Sequence, residues 1–186
     1  MRYLTSLFAA FLLLACDAGN IDQANAQSTA ADPQAATAFT LQNADGTSFS
    51  YPNSEDGVHI LFFWATWCPY CKQLMPHIQS LKDEFGDDLT VYAINIRDDG
   101  DPVKYLEDNG FDFELLLDGD DVADQYDIKG TPGLVLIDTN DQIQFDLGSL
   151  LAPSSKALEG LKHGQRSRRI APWWAARIRE EIDKLL

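Results

Sequence analysis

The stretch Val58 to Pro76, VHILFFWATWCPYCKQLMP, restricts the fold more than any other part of the chain. Its opening run, VHILFFWA, is short and apolar, as suits a strand buried on both faces. Leu74, Ile78, Leu81 and Phe85 then recur at helical spacing, with Lys82, Asp83 and Glu84 at polar positions. The strand therefore runs straight into a helix, and Cys68 and Cys71 stand at the junction. Three chemistries are open to that pair: a redox couple, half of a metal site, or a structural staple. The staple is the poorest, because cysteines three apart close almost no loop entropy.

The remaining pattern alternates. FTLQNADGTSFSY (39–51) predicts a hairpin turning near Asp45-Gly46, LTVYAINI a strand, and DPVKYLEDNG a helix closed by Gly110. FELLLD is a strand and DDVADQYDI a helix. GLVLID and QIQFDL then form an antiparallel pair turning through Thr139-Asn140-Asp141. Strands alternating with helices place the chain in the α/β class.

With these elements in place, FFWATWCPYCKQLMP resembles the active-site strand, turn and helix of the thioredoxin superfamily, and YDIKGTPGLVLID (126–138) resembles its cis-proline segment. An additional helix and strand between YAINI and DDVADQYDI is similar to the TlpA/ResA-like membrane-anchored thioredoxins. The resemblance covers about Phe39 to Leu161. It implies a thioredoxin-like three-layer sandwich, with a mixed central sheet, helices on both faces, an N-terminal hairpin and a TlpA-like central insertion. It also implies a thiol-disulfide oxidoreductase whose redox group is its own disulfide, with no metal or other cofactor.

A cysteine at a helix N-terminus meets partial positive charge and unpaired amides that favour its thiolate, which assigns Cys68 as nucleophile. Cys71, one turn later, is placed to resolve a mixed disulfide and is expected to be the more buried sulfur. Pro69 fits the first helical turn, where no amide bond is lost. The resemblance implies a cis Thr131-Pro132 bond and a Thr131 backbone offered to an extended peptide. Trp67 is expected at the rim of the site, where an aromatic contacts a substrate peptide, Trp64 in the core, and Tyr70 as a modulator of the couple; Trp67, Pro69, Tyr70, Thr131 and Pro132 are the expected substrate-binding residues.

Several positions depart from the thioredoxin pattern. Phe62, six before the nucleophile, stands where thioredoxins keep a buried Asp that helps to deprotonate the resolving thiol. Asp98 or Asp99 is a substitute, against the plainer reading of solvated loop acids. Gly133 follows the proline where cytochrome-c-maturation thioredoxins carry an acid, and Pro69 after Cys68 does not fit the peroxiredoxin pattern. His59, His77 and His163 have no zinc-like spacing, although a two-thiolate copper-binding module remains an alternative reading. CPYC also occurs in glutaredoxins and in one class of periplasmic isomerases, so the dipeptide leaves reductase and oxidant or isomerase open.

The ends of the chain bear on location. MRYLTSLFAAFLLLAC (1–16) has a cationic start and an apolar stretch shorter than the ~20 residues of a spanning helix, which reads as a secretory signal. LLAC resembles the bacterial lipobox, making Cys16 the lipidation site, and ANA (24–26) is the competing cleavage site. Three cysteines in an exported chain leave one odd thiol unless Cys16 is lipidated. Residues 17–37 lack apolar periodicity and read as a flexible tether to a domain at 38–162. Expected from this are a lipid-anchored monomer on the periplasmic side of the bacterial envelope, at the inner membrane through Asp17, with disulfide-bearing clients and a membrane thiol electron donor.

The formal net charge of −15 argues against a nucleic-acid partner, since phosphates are repelled. The basic segment at 163–186 is a helical extension holding Trp173 and Trp174. It either packs on the domain or meets anionic lipid or a partner.

Overall fold

The computed structural model describes residues 34–53, 55–150 and 158–186. The signal segment, the lipobox with Cys16, and the tether up to residue 33 lie outside them. Strands β1 (Gln34–Ala35), β2 (Phe39–Asn43), β3 (Ser48–Tyr51), β4 (Val58–Trp64), β5 (Leu89–Asn95), β6 (Glu114–Leu117), β7 (Gly133–Ile137) and β8 (Gln142–Asp146) form one sheet in the order β1-β8-β7-β4-β5-β6-β2-β3. Among the described residues four α-helices accompany it: α1 (Pro69–Phe85), α2 (Pro102–Asn109), α3 (Asp120–Gln125) and α4 (His163–Leu185).

β4 is central because every one of its residues is buried. It pairs in parallel with β5 and antiparallel with β7, so the sheet is mixed. Its side chains alternate between two cores, as the period of two requires. Val58, Ile60, Phe62 and Trp64 pack with Leu74, Met75 and Ile78 of α1 and Leu106 of α2. Leu61 and Phe63 pack on the other face with Tyr92, Ile94, and Val122 of α3. Helices therefore cover both faces, and the thioredoxin-like sandwich is the fold observed.

The punctuation has local causes. Asp45 Oδ1 accepts the Thr47 amide at 2.9 Å and the Thr47 hydroxyl at 2.6 Å, which turns the β2–β3 hairpin. Asp101 caps α2 by accepting the Lys104 amide at 2.9 Å, and Gly110 ends it in the left-handed conformation (φ 68°).

One boundary moves. The tether expected over 17–37 gives way at its end, where Gln34 and Ala35 pair with Ile143 and Gln142 of β8, and the Ala36 amide donates to Asp141 O at 2.8 Å. Residues 34–35 thus belong to the sheet. Both strand residues are exposed, so backbone bonds alone hold them and no apolar pattern announces them.

α4 packs on the domain, the first of the two readings of the basic tail. Ala171, Ala175, Ile178 and Ile182 enter the same core as α1, and Arg179 Nε donates to Glu84 Oε2 of α1 at 3.2 Å. Ile178 and Ile182 are both 0% exposed. Replacing Ile182 by Ala is expected to cost about 2–5 kcal/mol, read from urea unfolding. A loss below about 1 kcal/mol, within the range of ordinary surface substitutions, would mean that α4 is not part of the cooperative core.

Candidate active site

The site forms where β4 ends and α1 begins. Ala65 O accepts the Cys68 amide at 3.1 Å, closing the turn through Thr66 and Trp67. Cys68 is itself the N-cap of α1 (φ −80°, ψ 111°), and its Sγ accepts the Cys71 amide at 3.3 Å. A sulfur there occupies the place of a capping oxygen, facing the amides that the helix leaves unpaired. Pro69 begins the helix and forfeits no bond. As a thiol, Cys68 Sγ donates to Thr131 O at 3.4 Å, which joins the nucleophile to the loop of the cis Thr131–Pro132 bond.

The two sulfurs differ in partners rather than in exposure: Cys68 is 1% exposed and Cys71 0%. Exposure therefore does not separate them as the sequence suggested. The Cys71 thiol beside it is the largest cause that lowers Cys68 to a pKa of about 6; burial opposes this, and the Thr131 side chain and the amides of Cys71 and Tyr70 assist. Burial pushes Cys71 far up, and the neighbouring Cys68 adds to the rise. Near neutrality the pair is a thiolate beside a thiol, the arrangement that one-sided attack on a disulfide needs.

This sets a pH test. Alkylation of the reduced protein by iodoacetamide should rise through about pH 6 and be absent at this residue in Cys68→Ser. The folded pKa is depressed below the thiol's ordinary value of 9.0. Cys68 therefore contributes stability that is complete above the unfolded pKa and lost as pH falls through about 6. The reduced protein should thus gain stability over this window relative to Cys68→Ser. A rise in alkylation only above pH 8 would reject the thiolate assignment.

The turn before Cys68 is held by Asp98. Its carboxylate accepts the Thr66 amide at 2.5 Å, the Thr66 hydroxyl at 2.7 Å, Asn95 Nδ2 at 2.8 Å and the Gly100 amide at 3.0 Å. Burial alone would raise this carboxyl; the bonds from Asn95, Thr66 and Gly100 outweigh it and hold it below the usual range. Gly100 is needed here, since a Cβ would lie 2.2 Å from Thr66 Oγ1.

For Asp98 both readings of the loop acids are thereby revised, whereas Asp99 fits the plainer one. Asp98 is neither a solvated charge nor bonded to Cys71; it positions the active-site turn. Asp99 is exposed. The sequence signal for Asp98 was present as an aspartate two residues before a glycine, the pattern of a side chain closing its own turn. Phe62 is fully buried among apolar side chains, so its position offers no proton acceptor.

Trp67 is 56% exposed at the rim, with Nε1 donating to Arg97 O at 2.8 Å, whereas Trp64 is 0% exposed in the core. Pro69, Tyr70, Thr131 and Pro132 are all partly exposed around the buried nucleophile. Gly133 is buried, and a Cβ there would lie 2.5 Å from Ile128 Cγ2, so the position has no room for an acid. Of the histidines, His59 is buried with Nδ1 3.0 Å from the Tyr51 hydroxyl, and His163 sits edge-on to Tyr70 at 5.0 Å. The contact of Tyr70 with α4, through His163 and Trp174, is a feature that the sequence reading missed.

Comparison with known proteins accords with this geometry. The model of the AhpC/TSA family matches residues 33–146. Thiol-disulfide oxidoreductase ResA of Halalkalibacterium halodurans is 30% identical over 108 residues, 56% of this chain and 61% of that protein. Sporulation thiol-disulfide oxidoreductase A of Bacillus subtilis is 28% identical over 125 residues, 64% of this chain and 75% of that protein. The chain thus spans less than two thirds of the first relative's length. Among solved structures, a protein assigned as thiol:disulfide interchange protein DsbE from Chlorobium tepidum superposes with a TM-score of 0.56 at 26% identity, over 61% of this chain and 82% of that one. The thioredoxin-like fold, the capped Cys68, the protonated Cys71 and the match over most of the folded residues lead to one conclusion: the chain belongs to the AhpC/TSA family, among relatives that are thiol-disulfide oxidoreductases of thioredoxin fold.

Proposed function

We propose that this chain is a thiol-disulfide oxidoreductase of the bacterial cell envelope that reduces protein disulfides through Cys68 and Cys71. The observation that carries the reading is the asymmetry of the pair. Cys68 Sγ caps α1 and is held near a pKa of about 6, while buried Cys71 stays protonated.

The Cys68 thiolate attacks one sulfur of a client disulfide, forming a Cys68–client disulfide and expelling the other client sulfur as a thiolate. Cys71 then attacks Cys68 Sγ, the Cys71 proton passes to a departing client sulfur, and the Cys68–Cys71 disulfide forms as the client leaves with two added electrons. With Phe62 in the usual place of the acid and Asp98 bonded to the turn, the client sulfur is the base at hand. A dithiol donor at the membrane returns two electrons by the same exchange in reverse. The signal segment and Cys16 support a lipid anchor on the periplasmic side, and Asp17 after that cysteine supports the inner membrane.

Insulin reduction in the presence of a dithiol donor tests the activity, with precipitation of the freed B chain as the readout. Wild type should accelerate it well above the donor alone. A rate equal to that of the donor alone, from folded protein with both thiols free, would sink the reading.

A further inference from the structure

A groove of about 580 Å³ opens beside the nucleophile, between the cis-proline loop and α4. Thr131, whose carbonyl lies 3.4 Å from Cys68 Sγ, stands at its active-site edge. Tyr70, two residues along from the nucleophile, lines it as well, and Ile170 and Trp174 of α4 form the opposite wall. Trp174 packs against the Tyr70 ring at 5.9 Å yet remains partly exposed, and Ile170 is 6% exposed beneath. This wall comes from α4, which lies beyond the residues 33–146 matched by the family model.

The chemistry of the site decides what enters. A client joined to Cys68 by a disulfide must run its chain within a few ångströms of that sulfur, and the groove begins there. When Cys68 is a thiolate it no longer donates to Thr131 O, which leaves this carbonyl free to accept a client amide in extended conformation. Side chains next to the client cysteine then meet Tyr70, Ile170 and Trp174, an apolar surface with an aromatic face. At the margin Asp127 is paired with Lys129, which also lines the groove, and the remaining acid, Asp146, which accepts the Gly148 amide at 2.8 Å, disfavours an acidic neighbour.

We propose that α4 supplies a client-specificity wall, in which Trp174 and Ile170, with Tyr70, select extended client segments that carry a bulky apolar side chain beside the reactive cysteine. The proposal rests on the oxidoreductase reading, and its test keeps the two apart. The protein used is Cys71→Ser, in which the first exchange stops at the mixed disulfide. Two seven-residue peptides, identical except for Phe or Ser next to a central cysteine, carry that cysteine as a mixed disulfide with 2-thiopyridine. Cys68 thiolate attacks the peptide sulfur, the peptide–thiopyridine bond breaks, the Cys68–peptide bond forms, and thiopyridone is released and followed by absorbance. Intact mass confirms the adduct.

The Phe peptide should react about tenfold faster than the Ser peptide, equivalent to about 1.4 kcal/mol. Trp174→Ala in the same background should bring this ratio to half or less, whereas Trp174→Phe should keep most of it. A parent ratio below three, or a ratio that Trp174→Ala lowers by less than half, overturns the wall. If Trp174→Ala does not fold, judged by circular dichroism, Trp174→Gln takes its place under the same criterion. Reaction of neither peptide above the rate of glutathione overturns the oxidoreductase reading and the wall with it, while equal fast reaction overturns the wall alone.

Discussion

In cells, Cys71→Ser should accumulate covalent complexes with client proteins that dithiothreitol dissolves, while Cys68→Ser accumulates none. The reason lies in the division of labour at the N-terminus of α1. Attack on a disulfide needs the thiolate, and only Cys68 has the donors that hold it as one: the Cys71 thiol and amide, the Thr131 side chain and the Tyr70 amide. Serine at 71 leaves the first exchange intact in kind but removes the sulfur that would release the client. Serine at 68 removes the nucleophile, and buried Cys71, held protonated, does not replace it. Turnover in insulin reduction should fall by roughly 10³-fold or more in either variant, the order seen when a covalent nucleophile is removed. Trapped complexes in Cys68→Ser, at the level of Cys71→Ser, would reverse the assignment of the two cysteines. The clients recovered, identified by mass spectrometry, also report whether bulky apolar residues flank their cysteines.

The second large effect is expected away from the sulfurs. Asp98→Ala removes one carboxylate that accepts four hydrogen bonds, two from Thr66 and one each from Asn95 and Gly100. Bonds to a charged acceptor contribute about 1.5–3 kcal/mol each when buried, and partial exposure reduces this here, so a total loss of about 2–4 kcal/mol is expected in urea unfolding. Since the folded pKa of Asp98 is depressed, its contribution is present above the unfolded value and lost as pH falls toward the lower folded one. The difference between wild type and Asp98→Ala should therefore shrink below about pH 4. Turnover should also fall, by about tenfold, because Thr66 immediately precedes the rim residue Trp67 and sets the approach to the Cys68 cap. Asp98→Asn keeps one acceptor oxygen and should fall between the two. Wild-type stability in Asp98→Ala across this pH range would show that the bonds to the turn contribute nothing net.

The parts legible in the sequence are those that local pattern controls. VHILFFWA reads as a doubly buried strand because every side chain is apolar or finds an apolar face, apart from His59, which meets the Tyr51 hydroxyl. The β2–β3 turn, the Asp101 cap and the Gly110 stop each depend on residues within a few positions of one another, so their chemistry is visible in a line of text. The cysteine pair at a strand-to-helix junction is of the same kind, since the helix end and the sulfur are neighbours in sequence. β1 was not legible, because two exposed residues held by backbone bonds leave no side-chain trace. Nor was the use of Asp98, whose partners at Thr66 are 32 residues away.

What the sequence by itself determined is the class of chemistry: a dithiol with one sulfur at a helix N-terminus, in an α/β chain with a distant proline loop. Tertiary structure decided the rest, because it depends on groups that only folding brings together. As a thiol Cys68 donates to the carbonyl of Thr131, 63 residues on, and the turn that carries it is held by Asp98. As sequence, α4 suited packing on the domain and also a contact with lipid or a partner; Ile178 and Ile182 find their burial on α1, which carries Trp174 to Tyr70 and turns a tail into a wall of the active-site groove. An amphipathic helix states only that it has an apolar face, and the nearest complementary surface in the fold settles what that face covers.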